Sequence, residues 1–235
     1  MVAAAVLAGG QGARFGGEKP KQFAEIGGEA ILIRSLRAFV CSGLVDLCIV
    51  SVPAAWIAET ESLIAQTDLG QRCPVRVIAG GDSRGQTLLQ TLTFLEHNGM
   101  AEDTVLITHD AVRPFVTRRM IRDNIAAAEK FGACNTCIPA TDTVFFSADG
   151  AFVSEVPDRR TVFHAQTPQS FLGAQLYALC RQVPAADFAA MTDGCSVYAY
   201  FGKPVAMVAG ERDNIKITYP GDLDRAEQIL KTWKY

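Results

Sequence analysis

A short apolar run, Val2–Leu7, feeds straight into Ala8-Gly9-Gly10-Gln11-Gly12-Ala13-Arg14-Phe15-Gly16-Gly17-Glu18-Lys19-Pro20-Lys21. A continuous apolar run of this length that ends in glycines reads as a strand buried on both faces, as in parallel sheets. Glycines let a backbone approach an anion and turn its N–H groups inward. Arg14, Lys19 and Lys21 place fixed cations beside the loop, which suits phosphate groups. The chain is therefore expected to open with a nucleotide triphosphate site at the end of a buried strand.

The rest of the chain alternates strand and helix signals. Strands are expected at Val45–Val52, Val75–Ala79, Thr104–Thr108 and Ala133–Ile138. Helices are expected at Ala30–Cys41, with Ile31, Leu32, Ser35, Leu36 and Phe39 on one face, and at Ala54–Gln66, Gln86–His97 and Thr117–Phe131. Thr117 stands where an N-cap would. Such alternation implies a parallel sheet with helices on both faces. Its ligand crevice lies beyond the carboxyl ends of the strands. Gly9–Lys21, Gly80-Gly81-Asp82-Ser83-Arg84 and His109-Asp110-Ala111-Val112-Arg113-Pro114 all fall there.

After residue 139 the rhythm breaks. Thr141–Phe146 and Ala151–Val156 read as two strands around the Asp149-Gly150 turn, an arm at about residues 140–161. Val144, Phe145, Phe146, Phe152 and Val153 have little core of their own to join. The arm is expected to project and pack on a second copy of the chain. The rhythm then resumes with a strand at Val162–Ala165, helices at Leu172–Arg181 and Ala190–Tyr200, a strand at Val205–Val208 and a helix at Gly221–Trp233. No linker or repeat divides residues 1–235, which read as one domain.

The net charge of −3 is that of no general nucleic-acid binder, so the cations that matter are local. No apolar stretch is long enough to span a bilayer, and the first residues lack the basic start of a secretory signal. The seven cysteines are scattered. Cys134 and Cys137 form a lone C-x-x-C inside an apolar run, and a zinc site needs a second pair. They read as buried thiols of a reducing, cytoplasmic compartment.

Three glycine-loop classes compete. A dinucleotide loop needs a third glycine where Phe15 stands, and a P-loop needs Lys-Ser/Thr where Glu18-Lys19 stands. A nucleotidyltransferase loop remains, where an Arg and a Lys neutralise charge growing on the α-phosphate and the leaving pyrophosphate. Leu7-Ala8-Gly9-Gly10-Gln11-Gly12-Ala13-Arg14 with Pro20-Lys21-Gln22-Phe23 resembles the signature of the sugar-alcohol-phosphate cytidylyltransferases. Gly80–Arg84, His109–Pro114, Asp142-Thr143, Gln166-Thr167-Pro168-Gln169-Ser170-Phe171 and Asp213-Asn214-Ile215-Lys216-Ile217-Thr218 match that family in the same order.

The resemblance implies a Rossmann-like, three-layer α/β nucleotidyltransferase fold with a mostly parallel twisted sheet and a projecting β-hairpin arm. It implies CMP transfer from CTP to a sugar-alcohol phosphate, with Mg²⁺ or another divalent cation as cofactor and a homodimer formed through the arm. Arg14, Lys21 and Lys216 would be catalytic. Leu7, Ala8, Gly9, Gly10, Gly12, Gly80, Gly81, Asp82, Thr87 and Asp110 would bind CTP. Asp110, Arg113, Thr143, Arg159, Thr167 and Lys216 would hold the acceptor, some from the partner's arm, and Asp110 could face the metal. Whether Arg159 or Arg160 faces the site stays open.

Without a nucleophile partner, His109 reads as a structural, hydrogen-bonding residue, and Lys19 as solvent-facing. Leu7–Gly10, Thr108–Phe115, Glu155–Arg159 and Met191–Cys195 look more like the enzymes that use D-ribitol 5-phosphate than those that use 2-C-methyl-D-erythritol 4-phosphate. A nucleotide sensor without turnover is the reading from another class. Intact Arg14, Lys21 and Lys216 speak against it.

Overall fold

The computed structural model describes residues 1–9 and 19–233; Gly10, Gly12 and Arg14 lie outside the described residues. The chain runs β1 (Val2–Leu7), β2 (Glu25–Ile26), β3 (Glu29–Ala30), α1 (Ile31–Ser42), β4 (Leu47–Val52), α2 (Ile57–Ala65), α3 (Leu69–Arg72), β5 (Val75–Ala79), α4 (Arg84–His97) and β6 (Val105–Asp110). It continues α5 (Arg118–Phe131), β7 (Ala133–Pro139), β8 (Phe163–Leu172), α6 (Gly173–Cys180), α7 (Ala185–Ala190), α8 (Gly194–Tyr200), β9 (Ala206–Ala209) and α9 (Gly221–Thr232).

The main sheet is ordered β5-β4-β1-β6-β8-β7-β9. β1 pairs in parallel with β4 and β6, β4 with β5, and β7 with β9, while β8 runs antiparallel to both β6 and β7. Side chains alternate across β1. Ala4 and Val6 join a core with Leu36 and Phe39 of α1 and Met120 and Ile121 of α5. Ala3 and Ala5 join a second core with Leu92 of α4, Leu176 of α6 and Val197 of α8. Burial on both faces is why the run carries no polar side chain. A third cluster seats α9 against Ile26, Ile31, Phe115 and Ile217.

Local signals fix several ends. Gly27 and Gly28 take φ of 56° and 72° in the two-residue turn between β2 and β3. That left-handed pair is what the tightest hairpin turn demands. Thr117 caps α5, its hydroxyl accepting from the Met120 N–H at 3.3 Å and donating to Glu211 Oε1 at 2.8 Å. Thr117→Ala is expected to cost about 1–2 kcal/mol of stability, with Thr117→Ser recovering most of it. Urea unfolding midpoints measure this; an unchanged midpoint for the alanine variant would count against the cap.

Three expectations need correction. The strand expected at Val162–Ala165 runs on to Leu172, because it is clamped between β6 and β7. Asn135 faces Gln169, but the next pair is Cys137 with Ala165. Gln166, Thr167 and Pro168 thus bulge opposite Thr136 alone, which lets a proline sit inside a central strand. The helix expected at Ala190–Tyr200 is broken: α7 ends at Ala190 and α8 begins after Asp193, whose carboxylate caps it by accepting from Ser196 N at 2.8 Å. The two arm strands shrink to a single bridge, Phe146 with Glu155. Phe145, Phe152 and Val153 stay exposed there, as expected of apolar residues with no core within the chain.

Cys134 and Cys137 are buried free thiols, and burial pushes Cys134 up to about 12. No helix among the described residues is long and apolar enough to cross a membrane.

Candidate active site

A cleft of about 560 Å³ opens at the carboxyl ends of β1, β4, β5 and β6. This is the end at which ligands bind in open α/β sheets. Leu7, Ala8, Gly9, Gly80, Gly81, Asp82 and Thr87 line one part of it; Arg84, Asp110, Val112, Lys216 and Thr218 line another, and Lys21 and Gln22 also border it.

The glycine-lined part is held by close packing. A Cβ on Gly9 or on Gly80 would lie 3.1 Å from the Thr87 hydroxyl oxygen, so both turns come as near to α4 as a backbone can. That hydroxyl accepts from Gly81 N at 3.1 Å and donates to Ser83 O at 2.9 Å. Thr87 thus organises the turn after β5. Lys21 sits on a single 3₁₀ turn, Lys21–Phe23. Buried Gln22 ties that turn to the end of β1 through Nε2 to Ala8 O at 2.7 Å. Phe23 packs against Trp56, the two rings tilted with centroids 4.8 Å apart. Lys19 is exposed and paired with Glu59 at 3.3 Å.

The other part is electrostatic. Asp110 ends β6 and is 5% exposed. Its Oδ1 meets Arg84, and its Oδ2 meets Lys216 Nζ at 2.9 Å and Arg113 Nε at 3.6 Å. Burial alone would raise the Asp110 carboxyl. The charges of Arg84, Lys216 and Arg113 override it and hold the group well below the usual carboxylate range. Among the described residues, three cations share this one carboxylate, and buried Arg113 Nε has no partner within hydrogen-bond distance.

Thr167 lies in the β8 bulge beneath Asp110, accepting from Asp110 N at 3.1 Å. Thr143 and Arg159 are exposed on the arm and do not line the cleft; Arg159 donates to Thr141 O at 3.0 Å, and Arg160 pairs with Asp158 at 2.6 Å. The Asp110 carboxylate, expected to face a metal, has both oxygens on cationic side chains. No cluster of three His, Cys, Asp or Glu side chains among the described residues could hold an ion. Among the described residues, the side chains around Asp110 therefore do not form a three-ligand metal site.

Arg84, Gln22 and Asn214 were not singled out as site residues from sequence. For Arg84 the available signal was its place just after the Ser83 cap, which sets it at the start of α4 beside the cleft.

The family model described as 2-C-methyl-D-erythritol 4-phosphate cytidylyltransferase matches residues 2–232. The chain belongs to this family. Among solved structures it is similar to the 4-diphosphocytidyl-2C-methyl-D-erythritol synthase of Anaerococcus prevotii, at 26% identity, TM-score 0.83, covering 98% of this chain and 96% of that one. It is likewise similar to the 2-C-methyl-D-erythritol 4-phosphate cytidylyltransferase of Francisella tularensis (26%, TM-score 0.80, 97% and 98%). The enzyme of that name from Thermus thermophilus matches at 25%, TM-score 0.74, 98% and 100%. The cytidylyltransferase family accounts for the nucleotidyltransferase fold and makes the chain an enzyme that uses CTP.

Proposed function

We propose that CTP lies along the glycine turns of β1 and β5, that a sugar-alcohol phosphate docks on the Arg84–Arg113–Lys216 cluster, and that CMP passes between them. The observation that carries this is one cleft with a tightly packed glycine floor beside three cations converging on one buried carboxylate. A phosphate oxygen of the acceptor attacks the α-phosphorus, the α–β bridging bond breaks, and pyrophosphate leaves with the electron pair. An ionised phosphate needs no protein nucleophile, so catalysis reduces to alignment and charge neutralisation. Lys21 neutralises the nucleotide phosphates; Arg14, outside the described residues, is assigned the same task by the sequence. Lys216 and Arg113 hold the incoming dianion.

The acceptor supported by the family model and the solved relatives is 2-C-methyl-D-erythritol 4-phosphate. D-ribitol 5-phosphate is a second reading, favoured by Thr108–Phe115, Glu155–Arg159 and Met191–Cys195 of the sequence. The exposed apolar arm is assigned to a second copy of the chain, whose site Thr143 and Arg159 would then complete.

Purified protein with CTP, Mg²⁺ and each acceptor in turn is expected to release pyrophosphate with the methylerythritol phosphate. Release with ribitol phosphate alone establishes the second reading, and release with neither refutes both acceptors. Sedimentation of the same sample checks the arm: a fully active monomer removes its role.

A further inference from the structure

His109 is fully buried one residue before Asp110, its ring edge-on to Phe39 of α1 at a centroid distance of 5.1 Å. Nε2 lies 2.9 Å from Arg113 O, and Nδ1 lies 3.0 Å from Thr167 Oγ1. The hydrogens on these atoms can be assigned from the partners. The Arg113 carbonyl can only accept, so Nε2 carries a hydrogen. The Asp110 N–H donates to Thr167 Oγ1, which leaves the hydroxyl hydrogen free to point at Nδ1. Nδ1 is then a bare acceptor, and the ring is neutral.

We propose that His109 is a positioning residue for acceptor binding: as the neutral Nε2–H tautomer it ties the Arg113 carbonyl to the Thr167 hydroxyl, and so fixes the Asp110 carboxylate and Arg113 guanidinium. This rests on the cluster holding the acceptor's phosphate, as proposed above. The strut spans two elements. Arg113 and Asp110 close one turn after β6, with Arg113 N donating to Asp110 O at 3.0 Å. Thr167 belongs to the β8 bulge, whose far side is held by buried Asn214, donating to Thr167 O at 2.8 Å. Asn214 O in turn accepts from the Arg113 guanidinium at 2.8 Å. His109 closes this loop of contacts from below. The Thr167 hydroxyl spends its hydrogen on His109, so Thr167 supports the site rather than donating that hydrogen to the phosphate.

The environment keeps the ring neutral. Burial pushes the imidazole down to about 4, the Arg113 carbonyl and Asp110 oppose this, and the charges of Arg113 and Arg84 add to it. Phe39 and Thr167, from α1 and β8, bring no charge.

The chain has three histidines, and His97 and His164 are exposed. Nitrogen-15 NMR of the whole protein is expected to show His109 keeping Nδ1 bare and Nε2 protonated down to about pH 5. An Nδ1–H tautomer, or an imidazolium at neutral pH, would overturn the proposal without touching the proposed reaction.

Kinetics give the second readout. His109→Phe keeps the contact with Phe39 but neither hydrogen bond. It is expected to raise KM for the acceptor about 100-fold while KM for CTP stays within about threefold. His109→Gln returns a donor toward Arg113 O and is expected to recover at least about tenfold of that loss. Equal shifts for both substrates, or no recovery by glutamine, would show a merely structural histidine. Inorganic phosphate serves as the probe if no polyol phosphate is turned over: its Kd should weaken about tenfold in His109→Phe, and an unchanged Kd refutes the strut.

Discussion

Replacing Lys21 by alanine is expected to lower kcat by about 100- to 1000-fold, the loss seen when one preorganised charge-stabilising donor is removed. The side chain borders the cleft beside the ends of β1 and β5, where the nucleotide's phosphates are proposed to lie. Its backbone is held by groups that the substitution leaves alone: Gln22 on Ala8 O, the Phe23 contact with Trp56, and the Phe23 N to Pro20 O bond at 3.0 Å. The loss should appear in turnover. Lys19→Ala supplies the control. Its ammonium is paired with Glu59 on exposed surface, so pyrophosphate release should stay within about threefold of the parent protein. Near-normal release from Lys21→Ala, or equal losses in the two variants, would remove Lys21 from the mechanism.

The contrast between these two lysines shows what was legible in the sequence. Both stand in the same loop, but only Lys21 precedes a residue, Gln22, that reaches back into the sheet. Features that depend on neighbours in the chain were readable: the face of α1 from Ile31 to Phe39, the Thr117 cap, and the buried run of β1. So was the convergence of the loops after β1, β5 and β6, because strand ends in a parallel sheet share one edge. Features set by distant partners were not. Gln166-Thr167-Pro168 looks like a break when read locally; it is a bulge only because β8 is clamped by β6 and β7. The arm has the alternation of a hairpin but no third strand to stabilise it, and it keeps one bridge. Arg84 lay within a quoted motif, yet nothing nearby signals a carboxylate at Asp110 on another strand. The Asp193 cap, by contrast, was a local signal that could have placed the break before α8.

Asp110→Ala is expected to be the most damaging single substitution in the site, costing about 3–5 kcal/mol of stability as well as turnover. Removing one member of a buried ionic cluster costs this much because the remaining charges stay buried and unpaired. Here Arg113, only 11% exposed, would carry most of that cost, while Arg84 and Lys216, 29% and 40% exposed, are open to water, which puts the expected loss at the lower end of that range. Asp110→Asn keeps the shape but not the charge and should fall between the two. The wild-type pH dependence follows from the same cluster. The folded carboxyl binds its proton more weakly than an unfolded aspartate, whose ordinary value is about 3.9. Its contribution is then complete above about pH 4 and is lost as the pH falls toward the depressed folded value. Urea unfolding of the wild type and Asp110→Ala at neutral pH and in strong acid should show their difference narrowing only in strong acid. A further consequence separates charge from packing: inorganic phosphate should stabilise Asp110→Ala more than the parent protein, because it supplies the missing anion to the three cations. If phosphate stabilises both equally, the three side chains do not form an anion site, and the proposed docking of the acceptor at this end of the cleft falls with it.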